Sequence, residues 1–236
     1  MTISIIGGGS LGHVCAGIFS SNGNKVNIYS QHPDSWERTI NVIDLNNKLY
    51  EGCINKVSSD PGDVISNSDI VFLCLPGFLI KQSLQSIKPY ISNKTIIGSI
   101  VSSTGFFFFA HEVLPKETPL FGFQRTPFIA RVAEYGKSAN LLGYKNEVAI
   151  ACENIENVES FRSFIENLFI TPTKLLNSFY EASLTNSNPI LHTGRLYTMW
   201  KDWDGTPYDH NILFYKEWND EASECIIEMD NEFMQL

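Results

Sequence analysis

The 236-residue sequence predicts an α/β fold: a doubly wound, mostly parallel sheet over residues 1–177, followed by an all-α segment over 178–236. Three observations carry this. Short apolar runs alternate with helix-like stretches through the first half, a glycine-rich turn joins the first run to the first helix, and strand signals stop near residues 176–178. Strands alternating with helices build a parallel sheet covered on both faces.

In chain order, residues 3–6 read as a strand, 11–21 as a helix and 25–29 as a second strand after the turn Asn22-Gly23-Asn24. Val57 marks a weak third strand, 61–66 a short helix, and 70–75 a fully buried strand. Residues 80–90 have helical spacing and 95–101 are apolar enough for another strand, while the run 106–109 suits a buried loop or an aromatic-lined cleft. Strands are expected at 121–123, 139–142 and 147–151, around Gly136 and Gly143, then a helix at 155–168 and a short strand at 174–176. Beyond it the spacing predicts helices over 179–200 and 212–234, joined by a polar connector at 202–210 rich in Asp, Gly and Pro.

Hydrophobic residues at 43% and charged residues at 18% place the chain among globular proteins, and 16 Phe and nine Tyr supply aromatic mass for a core. The formal net charge of −9 and the scattered Lys and Arg exclude the basic face that nucleic acid or an anionic membrane requires. No run reaches the length of a membrane span, and the first residues read as a strand and not as a signal peptide, so a cytoplasmic location is expected. Five cysteines, odd in number and far apart, suit free thiols in a reducing compartment, Cys74 as a buried one, and no metal ligand set is read from them.

The strongest local signal is Gly7-Gly8-Gly9-Ser10-Leu11-Gly12, a G-x-G-x-x-G between a strand and a helix. Gly7 permits the tight turn, Gly9 lets backbone approach a pyrophosphate, and Gly12 lets the helix pack closely on the strand. The helix N-terminus beyond them, from Ser10 and Leu11 on, aims its N–H groups at phosphate. The segment is therefore expected to be a Rossmann dinucleotide-binding domain holding NADP or NAD. After the second strand come Ser30, Gln31 and His32, with no carboxylate before Asp34 and Arg38 as the nearest Arg. A small polar residue with a cation nearby favours NADP over NAD, although Arg38 equally suits a solvated helix. Leu75-Pro76, at the end of the fourth strand, is a second expected cofactor contact, against the plainer reading of a Pro-Gly turn.

Four stretches together resemble the opine dehydrogenases, the octopine/nopaline dehydrogenase family. They are the glycine loop, Leu75-Pro76, the segment 124–131 (Gln-Arg-Thr-Pro-Phe-Ile-Ala-Arg) with Gly143-Tyr144-Lys145, and Asn188-Pro189-Ile190-Leu191-His192 followed by Phe214-Tyr215 and Asp230-Asn231-Glu232. The resemblance implies reductive condensation of an amino acid amine with a 2-oxo acid, by a Rossmann domain paired with a helical domain. It implies His192 as catalytic acid/base, with Asn188, Gln124 and Arg125 contacting substrate. Imidazole suits proton exchange near neutrality, residues four apart on a helix share a face, and a guanidinium can pair with a carboxylate. The family's partner Asp for that histidine is expected later in the helical domain. Asp230 does not match it, so the helical segment reads as shortened.

The remaining histidines, His13, His32, His111 and His210, match no motif, and His13 is expected on the helix surface. Arg131 reads as a structural ion pair, and Met199, Trp200 and Trp203 as core. Apolar positions Ile212, Leu213, Ile226, Ile227 and Met229 are expected to be buried in a homodimer. Two alternatives stay open: a dehydrogenase of the ketopantoate reductase type, although its catalytic Lys is not evident, and a dinucleotide-binding protein that has lost turnover.

Overall fold

A computed structural model describes residues 1–235 and divides the chain into two compact units, Met1–Thr185 and Asn186–Leu236. The first unit begins with β1 (Thr2–Ile6), α1 (Ser10–Ser21) and β2 (Lys25–Tyr29). Next come β3 (Thr39–Asp44), β4 (Leu49–Cys53), β5 (Lys56–Ser58) and α2 (Pro61–Ile65), whose Asp60 cap accepts from the Gly62 N–H at 2.7 Å. The chain continues through β6 (Ile70–Leu73), α3 (Gly77–Ile87), β7 (Ile96–Ser99), α4 (Phe106–Val113) and β8 (Leu120–Phe123). It then forms β9 (Phe128–Glu134), β10 (Ser138–Tyr144), β11 (Val148–Glu153), α5 (Val158–Phe169), β12 (Thr173–Leu175) and α6 (Phe179–Leu184). The second unit holds α7 (Asn188–Trp200) and α8 (Asp220–Phe233).

The main sheet has the order β12-β11-β8-β7-β6-β1-β2-β5, parallel except that β11 runs antiparallel to β8. From β5 to β8 this is the doubly wound order whose reversal, between β1 and β6, opens a ligand crevice at the strand ends. Its core is aromatic. Phe19, Phe72, Phe121, Phe123 and Phe169 are fully buried and meet at ring separations of 4.8–6.1 Å. Truncating one of them to Ala would cost about 3–5 kcal/mol.

A second sheet, β4-β3-β10-β9, departs from the sequence expectation, which placed no strands at 39–44, 49–53 or 128–134. It packs on the outer side of α1, so that α1 lies between two sheets and is buried without interruption from Gly12 to Phe19. The approach is close: a Cβ on Gly17 would stand 2.4 Å from Val42 Cγ2, and one on Gly52 would stand 2.6 Å from the Gly17 carbonyl oxygen. Residues 106–109 open α4 and are not a loop. The helical stretch expected over 179–200 is two helices, because Pro189 has no N–H to donate and sits in the first turn of α7. Residues 214–217 form turns, leaving α8 to start at Asp220 under an Asn219 cap.

In the second unit α7 and α8 meet at Gly194, where a Cβ would stand 2.9 Å from Ile226 and 3.3 Å from the Met229 sulfur. Trp200 and Trp203 are exposed rather than core, and so are Leu213 and Ile227, whereas Ile212, Ile226 and Met229 are half-buried. No helix among the described residues is long and apolar enough to cross a membrane, and no group of three or more His, Cys, Asp or Glu is placed to hold a metal.

Candidate functional site

The glycine turn between β1 and α1 is shaped by three different constraints. Gly7 has φ +121°, and a Cβ there would meet the Cys74 carbonyl oxygen at 2.4 Å, so only glycine brings the turn against the end of β6. A Cβ on Gly12 would stand 1.9 Å from the Gly7 carbonyl oxygen, which fixes how closely α1 approaches β1. A Cβ on Gly9 meets nothing within 4 Å, so the backbone is bare toward open space there. The first turn of α1 carries no acidic side chain and no side-chain cap, leaving its N–H groups for an anion.

Two grooves flank this turn. One, of about 550 Å³, is lined by Gly7, Gly8, Tyr29, Ser30, Leu75 and Tyr135 among others. The second, of about 470 Å³, is lined by Gly9, Ser10, Leu11, Leu75, Pro76 and Arg131 among others. The two share Leu75 and together run the length of the crevice mouth. Of the predicted cofactor residues, Gly7, Gly9, Ser10, Leu11, Ser30, Leu75 and Pro76 line one groove or the other. Gly12 lies beneath them and acts through packing. The Ser10 hydroxyl accepts from the Val132 N–H at 3.1 Å, joining β9 to the cradle.

Ser30 is buried, and its hydroxyl accepts from the His32 N–H and the Trp36 indole, both at 3.2 Å. Arg38 lines neither groove: residues 36–38 turn into β3 instead of forming a helix, its carbonyl accepts from the Ile54 N–H, and its side chain is exposed. The end of the larger groove beyond β2 is polar, with Gln31, His32, Gln82 and Ser83 and neither a carboxylate nor an Arg or Lys.

The segment after β8 is rearranged relative to expectation. Gln124 donates its amide to the Thr185 hydroxyl at 2.5 Å and the Glu181 carbonyl at 3.3 Å, so it fastens α6 and lines neither groove. Arg125 is exposed and off the grooves, whereas Thr126 and Arg131 line the second one. Arg131 is not an ion pair. Its guanidinium donates to the Ala130 carbonyl at 2.9 Å and has no carboxylate partner among the described residues.

His13 corrects the sequence reading most sharply. It is completely buried, because the second sheet covers the outer side of α1. Its Nδ1 lies 3.0 Å from the Gly9 carbonyl oxygen, and its Nε2 accepts from the Gly136 N–H at 2.7 Å. The ring stacks on Trp36 at 4.2 Å and meets the Tyr135 ring edge-on at 5.0 Å. Burial pushes its pKa below the ordinary 6.5, against the opposing pull of the Gly9 and Gly8 backbone. Cys15, two residues on, is the fully buried thiol, held well above its ordinary range by burial and by the neighbouring Cys74 thiol. Cys74 itself is half-buried on the groove wall, and burial pushes the Cys152 thiol up to about 12.

In the second unit, Asn188 and His192 lie one turn apart on α7, both exposed. The His192 imidazole stacks on Phe214 at 5.2 Å, and its Nε2 lies 3.5 Å from the Tyr215 hydroxyl. The turn carrying both rings is held by Arg195, buried on α7, which donates to the carbonyls of Phe214 (3.1 Å) and Glu217 (2.7 Å) and lies 3.4 Å from Asn219 Oδ1. Sequence reasoning passed over Arg195 and Tyr135, neither of which has a motif of its own, gave Thr126 of the 124–131 segment no role, and placed His13 on the helix surface.

A doubly wound sheet with a bare glycine turn at its switch point is the arrangement of a dinucleotide-binding fold, and here it is followed in the chain by a helical unit. Residues 175–236 match the family described as NAD/NADP octopine/nopaline dehydrogenase, alpha-helical domain, and residues 2–113 match that described as NAD-dependent glycerol-3-phosphate dehydrogenase N-terminus. The chain is 26% identical to the opine dehydrogenase of Haliotis discus hannai over 94% of its own length and 60% of that protein's. It is 24% identical to the tauropine dehydrogenase of Arabella iricolor, covering 100% of this chain and 64% of the relative. A solved octopine dehydrogenase structure with NADH and L-arginine superposes with a TM-score of 0.88 at 22% identity, over 100% of this chain and 63% of that one. A ketopantoate reductase from Ralstonia eutropha is more distant, with a TM-score of 0.63 at 16% identity over 82% and 62%. The chain is similar to opine dehydrogenases over nearly its whole length, and it spans about three fifths of the length of the relatives it matches.

Proposed function

We propose that this protein is a nicotinamide-dependent oxidoreductase of the opine dehydrogenase type, joining the amine of an amino acid to a 2-oxo acid by reduction of the imine, or running the reverse oxidation. The observation that carries the reading is the bare glycine turn, where Gly9 leaves room for a ligand and the first turn of α1 offers uncapped N–H groups. A dinucleotide fits this cradle: Gly7 to Leu11 would hold its diphosphate, Tyr29, Ser30 and Tyr135 its adenosine half, and Leu75, Pro76 and Thr126 its nicotinamide half. The bound cofactor supplies the hydride.

The chain's own residues supply binding and proton transfer. His192 is the acid/base: its ring is exposed, Phe214 fixes its plane, and Nδ1 has no hydrogen-bond partner among the described residues. Asn188, on the same face of α7, contacts substrate. Arg131 and not Arg125 is the guanidinium on the groove, and without a carboxylate of its own it can receive an anionic group of cofactor or substrate. Gln124 acts one step back, by holding α6. NADP is favoured over NAD because no carboxylate among the lining residues would repel a 2′-phosphate. A homodimer covering the exposed Leu213 and Ile227, and a cytoplasmic location, complete the proposal.

The test is oxidation of NADPH or NADH by the purified chain, required to depend on both an amino acid and a 2-oxo acid such as pyruvate. Oxidation with ketopantoate and no amine would move the protein to the ketopantoate reductase type. One observation favours a second reading, a cofactor-binding protein without turnover: no carboxylate is bonded to His192 among the described residues. Tight nucleotide binding with no amine-dependent oxidation would establish that reading.

A further inference from the structure

His13 lies directly beneath the proposed cradle, and its surroundings define one protonation state. The Gly136 backbone N–H donates to His13 Nε2, so Nε2 must be the bare acceptor and the ring proton sits on Nδ1, pointing at the Gly9 carbonyl. That carbonyl also accepts the His13 backbone N–H at 3.0 Å. The Gly9–Ser10 peptide is trans and planar, so holding its C=O toward the helix interior turns the Ser10 N–H the opposite way, out of the helix N-terminus. Gly136 is equally constrained: φ is +74°, its carbonyl accepts from the Glu37 N–H at 2.9 Å, and a Cβ would stand 1.9 Å from the Ser35 carbonyl oxygen. Gly8 completes the arrangement, since a Cβ there would stand 2.6 Å from the Tyr135 hydroxyl and 3.4 Å from the Trp36 ring.

We propose that His13 is the positioning residue of the cradle: as a neutral imidazole it ties Gly9 of the glycine loop to Gly136 of the β9–β10 turn, and its protonation releases the tie and weakens dinucleotide binding. This rests on the cofactor reading above. A proton on Nε2 would set two donors, Nε2–H and the Gly136 N–H, against each other at 2.7 Å in a buried place. The turn would have to withdraw, and Tyr135, which walls both Gly8 and the larger groove, would move with it.

The groups around the ring leave burial in control. On α1 the first turn has no charged side chain, and the titratable side chain touching the ring is the Tyr135 phenol. Glu37, from the segment after Trp36, and Glu134 and Lys137, from the β9–β10 turn, are satisfied among themselves. Lys137 pairs with Glu134 at 2.5 Å and Glu37 at 3.3 Å on the surface.

The experiment has two arms on the full chain. Nitrogen NMR of the His13 ring, without nucleotide, should show a protonated Nδ1 and a bare Nε2 at pH 8, with charging only below the ordinary histidine range; an Nε2–H tautomer overturns the proposal. NADH titration, read by nucleotide emission between pH 8 and pH 5.5, should show affinity falling by up to about tenfold per pH unit once His13 titrates. In His13→Gln, whose amide oxygen can accept from Gly136 but does not titrate, that dependence should flatten. Wild-type affinity that is the same at both pH values, or a dependence that persists in His13→Gln, overturns the inference while leaving the cofactor reading intact. Failure of NADH and NADPH to bind at any pH overturns both. Should the variant not fold, the wild-type ring spectra and wild-type pH dependence still decide.

Discussion

His13 and His192 are the same residue type in opposite circumstances. His13 is sealed between two sheets with both ring nitrogens engaged by backbone, so it has neither a proton to give nor a lone pair to offer a ligand. His192 stands on an exposed helix face, steadied by Phe214 and Tyr215, with one nitrogen unengaged. A buried, saturated imidazole can hold atoms in place, and an exposed, half-saturated one can exchange protons. The job is set by what each nitrogen touches, and the residue name carries no information about it.

The largest expected effect therefore falls on turnover at the exposed ring. His192→Ala should lower amine-dependent NADPH oxidation by about 10²- to 10⁴-fold, while thermal unfolding shifts by no more than about 0.5 kcal/mol, as for other exposed positions. Equal loss of nucleotide affinity would break the comparison, since it would make His192 a holding residue too. Next in size is the glycine turn. Gly12→Ala drives a Cβ to 1.9 Å from the Gly7 carbonyl oxygen and should destabilise the first unit by about 3 kcal/mol, seen as a lowered Tm. Gly9→Ala meets nothing within 4 Å and should leave Tm unchanged, yet place a methyl where the diphosphate is proposed to lie and reduce nucleotide affinity. A Gly9→Ala protein that binds as tightly as wild type would count against the cradle.

These contrasts also explain what could be read from the chain and what could not. The glycine spacing was legible because each glycine answers a local steric demand made by neighbours in sequence or by the adjoining strand. The strand-helix alternation was legible because the parallel strands are apolar on both faces, as in the fully buried β6. His13 was misread because its cover comes from β3, β4, β9 and β10, two of them more than a hundred residues away. A signal was nevertheless present: α1 contains no charged residue, which is the mark of a helix buried all round. The alternation in β3, with Ile40, Val42 and Asp44 buried and Thr39 and Ile43 exposed, was likewise available. Arg131 and Arg125 could not be told apart from sequence. Their roles depend on which one the turn into β9 brings to the groove.

A third contrast concerns the cations that hold turns. Arg195→Met removes the donor to the carbonyls of Phe214 and Glu217 and should cost the second unit about 2 kcal/mol. The change is readable in Trp218 emission, because the guanidinium lies 5.6 Å from that ring. If the Phe214-Tyr215 turn steadies His192, the His192 ring should also lose its chemical-shift separation from a free imidazole. For His13 the sign of the pH effect is opposite to that of a salt-bridged histidine. Its folded pKa lies below the unfolded value near 6.5, so the stabilisation is complete above about 6.5 and is lost as the pH falls through the folded value. One proton bounds the slope at about 1.4 kcal/mol per pH unit, and chemical denaturation at pH 8, 6.5 and 5 measures it. Stability that rises on acidification across this window would contradict the burial of a neutral ring.

The smallest effect separates the two basic residues that follow β2. Arg38 was the natural candidate for a 2′-phosphate, but it lines neither groove, whereas His32 lines the larger one beside Ser30 and Gln31. Arg38→Ala should change the ratio of NADPH to NADH affinity by less than about twofold, since an exposed charge that lines neither groove is screened by solvent and salt. His32→Ala should shift the ratio toward NADH by a few-fold, because it removes the one side chain lining that end that can carry positive charge. Fluorescence titration with both nucleotides at low and physiological salt distinguishes the cases. A large Arg38 effect that vanishes with salt would mean long-range steering, and one that survives salt would mean that the segment before β3 folds over the ribose when nucleotide is bound.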